Sequence, residues 1–414
     1  MIEDLFKRPT VLARYREGPL AEAREDFLQR CAKEGYSHAM LRKIAWVLLA
    51  VAHSIVIDRG NVTAQDIQRA VECRVRVSRQ PIGAKDSVWT RQMFIHFVTE
   101  WVRCLGCLQQ PPSAQSAFVA QIDAFAGYMR DERGLSPVTI STRCERLSWF
   151  FAGLRPPREA LSAITVADVD AFIEAKGKQG WTRASLAALA SSLRSFFSFA
   201  EARGWCASGI TAIIESPRLY AREGIPEGPG WDDVQRLLAS TSGERPADIR
   251  DHAILMLLAV YGLRRGEVAG LRLDDLDWEE EQIHVVRPKQ RRAQRYPLLP
   301  AVGEAILRYL REVRPRSGHR ALFLTLGAPV RPLSAPSITP VAHAHLSRLG
   351  LTLSPRGAHC LRHACASHLL ASGFSLKQIG DHLGHRSANS TLSYTKVDLR
   401  GLRQVAELDL GALL

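Results

Sequence analysis

The sequence predicts a mainly α-helical protein with one small antiparallel β-sheet. The expected arrangement is an extra helical N-terminal segment, a helical bundle and a mixed C-terminal unit. Three observations predict this. Apolar residues recur at three- and four-residue spacings through most of the chain, as in AMLRKIAWVLLAVAHSIV (39–56), which is the period of a half-buried helix. Two strand-like arms, QIHVVRP (282–288) and RYPLLP (295–300), bracket a basic turn and supply the sheet. The 414 residues exceed one ordinary domain, and two proline-rich breaks, QQPPS (109–113) and SPRLYAREGIPEGPGW (216–231), divide them.

Residues 1–112 form the N-terminal segment, in which QMFIHFVTEWVRCLGCL repeats the helical spacing. Residues 113–215 form the bundle. Phe118 to Met129 reads as one helix, and Gly134-Leu135-Ser136-Pro137 as a turn and cap with Pro137 in the first turn. VTISTRCERLSWFFAGL, TVADVDAFIEAK and SLAALASSLRSFFSFAEARG then carry amphipathic stripes, giving four helices with short loops. EGYSHAMLRKIAWVLLAVA (34–52) parallels RGLSPVTISTRCERLSWFFAGL (133–154), and TAQDIQRAVE at 63 parallels TVADVDAFIE at 165. Two readings stand: a partial internal duplication, or two unrelated helical pairs with common cap chemistry. Residues 216–230 form an extended linker. Residues 231–414 form a third unit, mainly helical, built round the hairpin.

Lys and Arg number 55 against 42 Asp and Glu, a net charge of +13, which favours a polyanionic partner such as double-stranded DNA. The eight cysteines are scattered, which fits a reducing cytoplasm better than a disulfide framework. Cys104-Leu-Gly-Cys107 has no second pair at zinc spacing, so the ordinary reading is two thiols on an apolar helix. No stretch reads as an export signal or a membrane span. There is no Walker A motif and no carboxylate cluster suited to paired metals, so no cofactor is expected.

Four motifs carry chemistry, and each alone has an ordinary structural reading. In YGLRRGEVAG, Arg264 and Glu267 stand at i,i+3. This is either a surface ion pair worth about a few tenths of a kcal/mol or an arginine presented at a helix edge to phosphate. In VVRPKQRRAQRYPLLP, the basic residues Arg287, Lys289, Arg291, Arg292 and Arg295 crowd a hairpin tip. It is either a solvated turn or a finger laid against a DNA backbone. In GAHCLRHACASHLLASG, helical spacing puts His359 and Arg362 on one face, where a guanidinium could fork onto phosphate oxygens; His363 and His368 read as ordinary helix residues. In LGHRSANSTLSYTKVD, His385 sits at a glycine turn and Tyr394 follows nine residues on.

Their order is GLRxxE, a basic hairpin with lysine, HxxR, LGH and then tyrosine. That succession resembles the tyrosine recombinase (phage integrase) family, over roughly residues 115–400, including the RGLSxxTI stretch of its SAM-like core-binding bundle. Pro288-Lys289-Gln290 departs from the glycines that flank this lysine in many members, so Arg287 or Arg291 is a candidate to share its role. The resemblance implies catalytic residues Arg264, Lys289, His359, Arg362, His385 and Tyr394. Two arginines would hold the non-bridging oxygens, the histidines would help move the tyrosine proton, and Tyr394 would be the nucleophile. It implies a 3′-phosphotyrosine, protonation of the leaving 5′-oxygen by Lys289, and no need for ATP or metal. Arg287, Arg291, Arg292 and Arg295 are expected to contact DNA, and Glu267 to orient the arginine region.

The resemblance further implies a homo-tetramer on two DNA sites, which related recombinases or accessory DNA-bending proteins could join, with the bundle and catalytic unit holding the duplex. The apolar-striped tail VDLRGLRQVAELDLGALL would dock on a neighbouring protomer or in cis. The extra N-terminal length departs from compact chromosome-dimer resolvases and favours a mobile-element enzyme. Three roles are open to residues 1–112: reading arm-type sites, extending the clamp, or mediating assembly. Two rivals are a type IB topoisomerase-like enzyme and a catalytically silent DNA-binding assembly protein.

Overall fold

The computed structural model describes residues 1–55, 62–77, 87–109, 118–218, 228–287, 292–351, 357–385 and 391, with side chains described for all of these except 74–77, 87–90 and 292. Lys289, Arg291, Tyr394 and the C-terminal tail lie outside the described residues. The chain divides into two compact units, Met1–Cys107 with Arg222–Leu414, and Leu108–Ala221. Among the described residues no helix is long and apolar enough to cross a membrane.

The N-terminal part of the first unit contains α1 (Ile2–Leu5), α2 (Pro9–Glu17), α3 (Ala21–Lys33), α4 (His38–Ser54), α5 (Ala64–Val77) and α6 (Ser87–Cys104). Leu28, Ile44, Leu48, Val51, Ile67, Val98 and Trp101 are fully buried there. The second unit contains α7 (Val119–Asp131), α8 (Pro137–Gly153), α9 (Val166–Lys178), α10 (Arg183–Ala202) and α11 (Ile210–Ile213). Its core is aromatic: Phe125, Phe150, Phe196 and Phe197 are fully buried, and the Phe125–Phe196 and Phe150–Phe197 rings meet edge to face.

The helix starts follow from side-chain caps. Ser37 before α4 and Ser136 before α8 each accept the third helical N–H at 3.3 Å. Each stands two residues after a left-handed glycine, Gly35 (φ 88°) and Gly134 (φ 57°). Thr63 and Thr165 open α5 and α9 with matching Thr-x-x-Asp boxes. In these, Asp66 and Asp168 accept the cap N–H at 3.0 and 2.8 Å.

The rest of the first unit holds α12 (Trp231–Ser240), α13 (Pro246–Val260), α14 (Arg265–Gly270), strands β1 (Leu276–Asp277), β2 (Gln282–Arg287) and β3 (Arg292–Pro297), α15 (Pro300–Arg308), α16 (Ala335–Arg348), α17 (Ala358–Ala371) and α18 (Leu376–Leu383). The sheet is antiparallel in the order β1-β2-β3, with Ile283 opposite Tyr296 and Arg287 opposite Arg292. Helix α13 buries Ile249, Ile254, Leu255, Leu257 and Leu258, an apolar set running round the helix, so it forms the centre of this core. Its C-terminal end, the start of α14, the end of β2 and helices α17 and α18 supply the site.

Candidate active site

Helix α13 stops at Gly262, whose φ of 60° is left-handed and whose missing Cβ makes room for Leu383. The chain then turns into α14 with Arg264 at the cap. Glu267, 4% exposed, accepts the Arg264 backbone N–H at 2.8 Å and its Nη1 at 2.7 Å. One carboxylate thus caps the helix and aims the guanidinium, the orienting part expected of it. The Arg264 side chain stays 35% exposed, and its Nη2 donates to Gly384 O at 3.1 Å across 120 residues of sequence.

Helix α17 begins after Gly357, with His359 in its first turn and Arg362 one turn later. His359 keeps access to solvent, whereas Arg362 is buried and donates to Gly262 O at 2.5 Å and Leu383 O at 2.7 Å. Surrounding protein, then the charges of Arg362 and Arg264, hold the His359 pKa below the ordinary imidazole value. His363, read from the sequence as an ordinary helix residue, packs edge-on to His359 with ring centres 4.5 Å apart, and burial pushes its pKa down to about 4. The i,i+4 spacing of 359 and 363 was the signal for that pair. His368 stacks on Trp231 at 3.9 Å, which serves packing.

Helix α18 is opened by a Ser375–Gln378 box and closed by Gly384 in the left-handed region, φ 59°. His385 follows, its N–H bonded to Gly380 O at 2.8 Å and its Nδ1 2.7 Å from Thr391 Oγ1. Burial, then Arg362, Arg264, Arg287 and His359, push its pKa down to about 4, so the ring is neutral at pH 7 and can exchange a proton. Gly384→Ala is expected to cost ~1–2 kcal/mol from the left-handed backbone alone, read as a lower urea midpoint. An unchanged midpoint would mean that the turn relaxes without strain.

Arg287 departs from expectation. It does not stand on a DNA-facing tip. It is 1% exposed and both its Nη groups are spent on protein acceptors, including Glu267 Oε1 at 3.4 Å and His382 O at 3.3 Å, while its buried Nε has no hydrogen-bond partner, so it belongs to the interior of the site and not to a basic finger. The reason is strand alternation: Ile283, Val285 and Arg287 take the three inward positions of β2. Arg295 is exposed on β3, opposite His284. The side chain of Arg292 lies outside the description. Sequence reading also passed over two buried residues of the site. One is Tyr296, which bonds Arg287 and His382 O; the other is Thr391, which holds His385. The inward register of Tyr296 opposite Ile283 was readable from the hairpin, whereas nothing local marks Thr391.

The arrangement is a cationic floor of arginines with two neutral imidazoles beside it, suited to binding an anion and shuttling protons. Comparison with known proteins bears on which anion. The Phage integrase family model matches residues 231–400, and the Phage integrase N-terminal SAM-like domain model matches residues 122–204. A candidate integrase/recombinase, y4rA, from Sinorhizobium fredii (strain NBRC 101917 / NGR234) is 33% identical over 401 residues, covering 95% of this chain and 96% of that protein. Tyrosine recombinase XerC of Rhodospirillum centenum (strain ATCC 51521 / SW) is 33% identical over 320 residues, 75% of this chain and 91% of that one. Among solved structures, XerH site-specific recombinase bound to a palindromic difH substrate shares the fold at a TM-score of 0.56 and 17% identity, covering 85% of this chain and 98% of that chain. Sequence identity at one third over nearly the whole length makes the chain a member of the tyrosine recombinase (phage integrase) family, enzymes of site-specific recombination that break and rejoin DNA.

Proposed function

We propose that Tyr394 attacks a DNA phosphodiester and replaces its 5′-oxygen on phosphorus, leaving a 3′-phosphotyrosine and a free 5′-hydroxyl. Lys289 gives its proton to the leaving oxygen. The 5′-hydroxyl of a partner strand then attacks the phosphotyrosine and releases Tyr394, so each step exchanges one P–O bond for another. Arg264 and Arg362 offset the charge that grows on the non-bridging oxygens, and His359 and His385 take up and return the tyrosine proton. Arg291, Arg292 and Arg295 contact the DNA backbone.

The observation that carries this reading is the gathering of Arg264 and Arg362, from elements far apart in sequence, onto the Leu383–Gly384 backbone beside His385. Residues 113–215 serve as the core-site-binding bundle, 231–414 supply the chemistry, and residues 1–112 are a partial duplication of the bundle; the matching caps of α4 with α8 and α5 with α9 support that origin. The working form is a tetramer on two double-stranded DNA sites, in the cytoplasm, serving a mobile element.

The test is a nicked duplex whose cleavage releases a short strand and traps the covalent complex. Digestion and mass spectrometry are expected to find the nucleotide on the peptide containing Tyr394. A nucleotide on any other residue, or no adduct with DNA from the flanks of the gene, would overturn the assignment.

A further inference from the structure

We propose that Arg287 is a positioning residue for strand cleavage, its buried guanidinium tying the Glu267 carboxylate to the Leu383–Gly384 backbone so that Arg264 and His385 share one frame. This rests on the recombinase reading of the site. Arg287 is 1% exposed and both its Nη groups lie on protein acceptors, so its effect passes through those groups. Its Nη1 donates to Leu383 O and, at 3.4 Å, to Gly384 O, and lies 3.4 Å from Glu267 Oε1. Its Nη2 donates to Tyr296 Oη and, at 3.3 Å, to His382 O. Tyr296 itself donates to His382 O.

The Glu267 oxygen that meets Arg287 is the one that holds Arg264 Nη1 at 2.7 Å. Arg264 and Arg287 therefore meet twice, on one carboxylate oxygen and on the Gly384 carbonyl. Arg362 reaches Leu383 O from α17. The two peptide carbonyls preceding His385 thus receive three guanidiniums from three separate elements. A Cβ on Gly384 would overlap the Arg287 guanidinium.

A buried ion pair is a poor way to gain stability, since apolar residues of similar volume fill such a space with less desolvation. A planar fork does what no apolar residue can: it bridges a carboxylate, a phenol and backbone carbonyls on different elements at fixed angles, and lysine lacks that fork. Arg287 also adds charge. The groups facing His385 among the described residues include Arg264, Arg287, Arg362, His359 and Thr391, and three of these are cations. Without Arg287 one cation fewer opposes the imidazolium, and His385 protonates at higher pH.

The experiment uses the full chain, single-turnover cleavage of the nicked duplex between pH 4 and 8, and DNA affinity by anisotropy. Arg287→Met is expected to slow cleavage ~100-fold, the scale of a misplaced catalytic group. DNA affinity should stay within about threefold, and the acid limb of the rate should move up in pH. Arg287→Lys should return the acid limb toward wild type while the rate stays about tenfold low, because the charge is restored and the fork is not. A wild-type rate in Arg287→Met overturns the inference, as does a rate loss that merely follows lost folding and binding with an unmoved limb. If Arg287→Met does not fold, Arg287→Lys decides alone, and an unchanged rate overturns the inference. If wild type itself forms no adduct, the recombinase reading fails separately. An NMR titration of His385 in the wild type and the arginine variants is then the readout, an unmoved pKa overturning the inference.

Discussion

Replacing Tyr394 with phenylalanine is expected to abolish covalent capture of DNA, by ~10⁴-fold or more, because only the attacking oxygen is lost. DNA affinity should stay within about threefold, ~0.7 kcal/mol, since the ring is kept. The other tyrosines described in this part of the chain cannot substitute. Tyr296 is buried, its hydroxyl donates to His382 O, and burial pushes its pKa up to about 12. Tyr261 donates to Pro297 O at 2.7 Å and accepts Leu299 N–H at 3.0 Å. Tyr309 accepts Leu324 N–H at 3.0 Å from a fully buried position. A denaturing gel of both proteins on the nicked duplex reads the result. An adduct that persists in the variant would move the nucleophile elsewhere and undo the assignment.

Arg362→Ala is expected to be the next most damaging change, with cleavage down ~10³-fold, as for loss of a preorganised donor to transition-state charge. It should also cost ~2–4 kcal/mol of stability, because the buried carbonyls of Gly262 and Leu383 each lose a charged donor. The two effects separate experimentally: urea unfolding gives the folded fraction, and cleavage is measured where that fraction is near one. Arg362→Lys should recover part of the stability and little of the rate, since lysine supplies charge at one point only. A folded Arg362→Ala that cleaves within about tenfold of wild type would remove Arg362 from the phosphate-binding pair.

Cap chemistry and strand pairing are short-range, which is why so much of the fold was legible. The turn and cap at Gly134–Pro137, the bundle that follows it, the first hairpin arm and the glycine stop at 262 are decided by neighbours a few residues apart, whereas the second arm lies at Arg292–Pro297, three residues earlier than the expected 295–300, because Pro300 opens α15. The order of the site motifs is likewise a property of the chain itself. Direction was harder to read. Arg287 stands in a run of basic residues that by charge alone suggests an exposed finger, yet the period-two pattern from Ile283 turns it inward. Charge density is a poor guide to exposure when a carboxylate such as Glu267 and several carbonyls wait in the interior.

Local periodicity and residue type were enough to read the helices, the hairpin and the family from the chain alone. Only the tertiary structure decided that one Glu267 oxygen holds two arginines, that Gly384 yields its Cβ space to Arg287, and that Thr391 steadies His385. Such contacts join positions up to 97 residues apart. They exist only once α13, α17, α18 and the hairpin share one core, and no local pattern encodes the geometry of that packing.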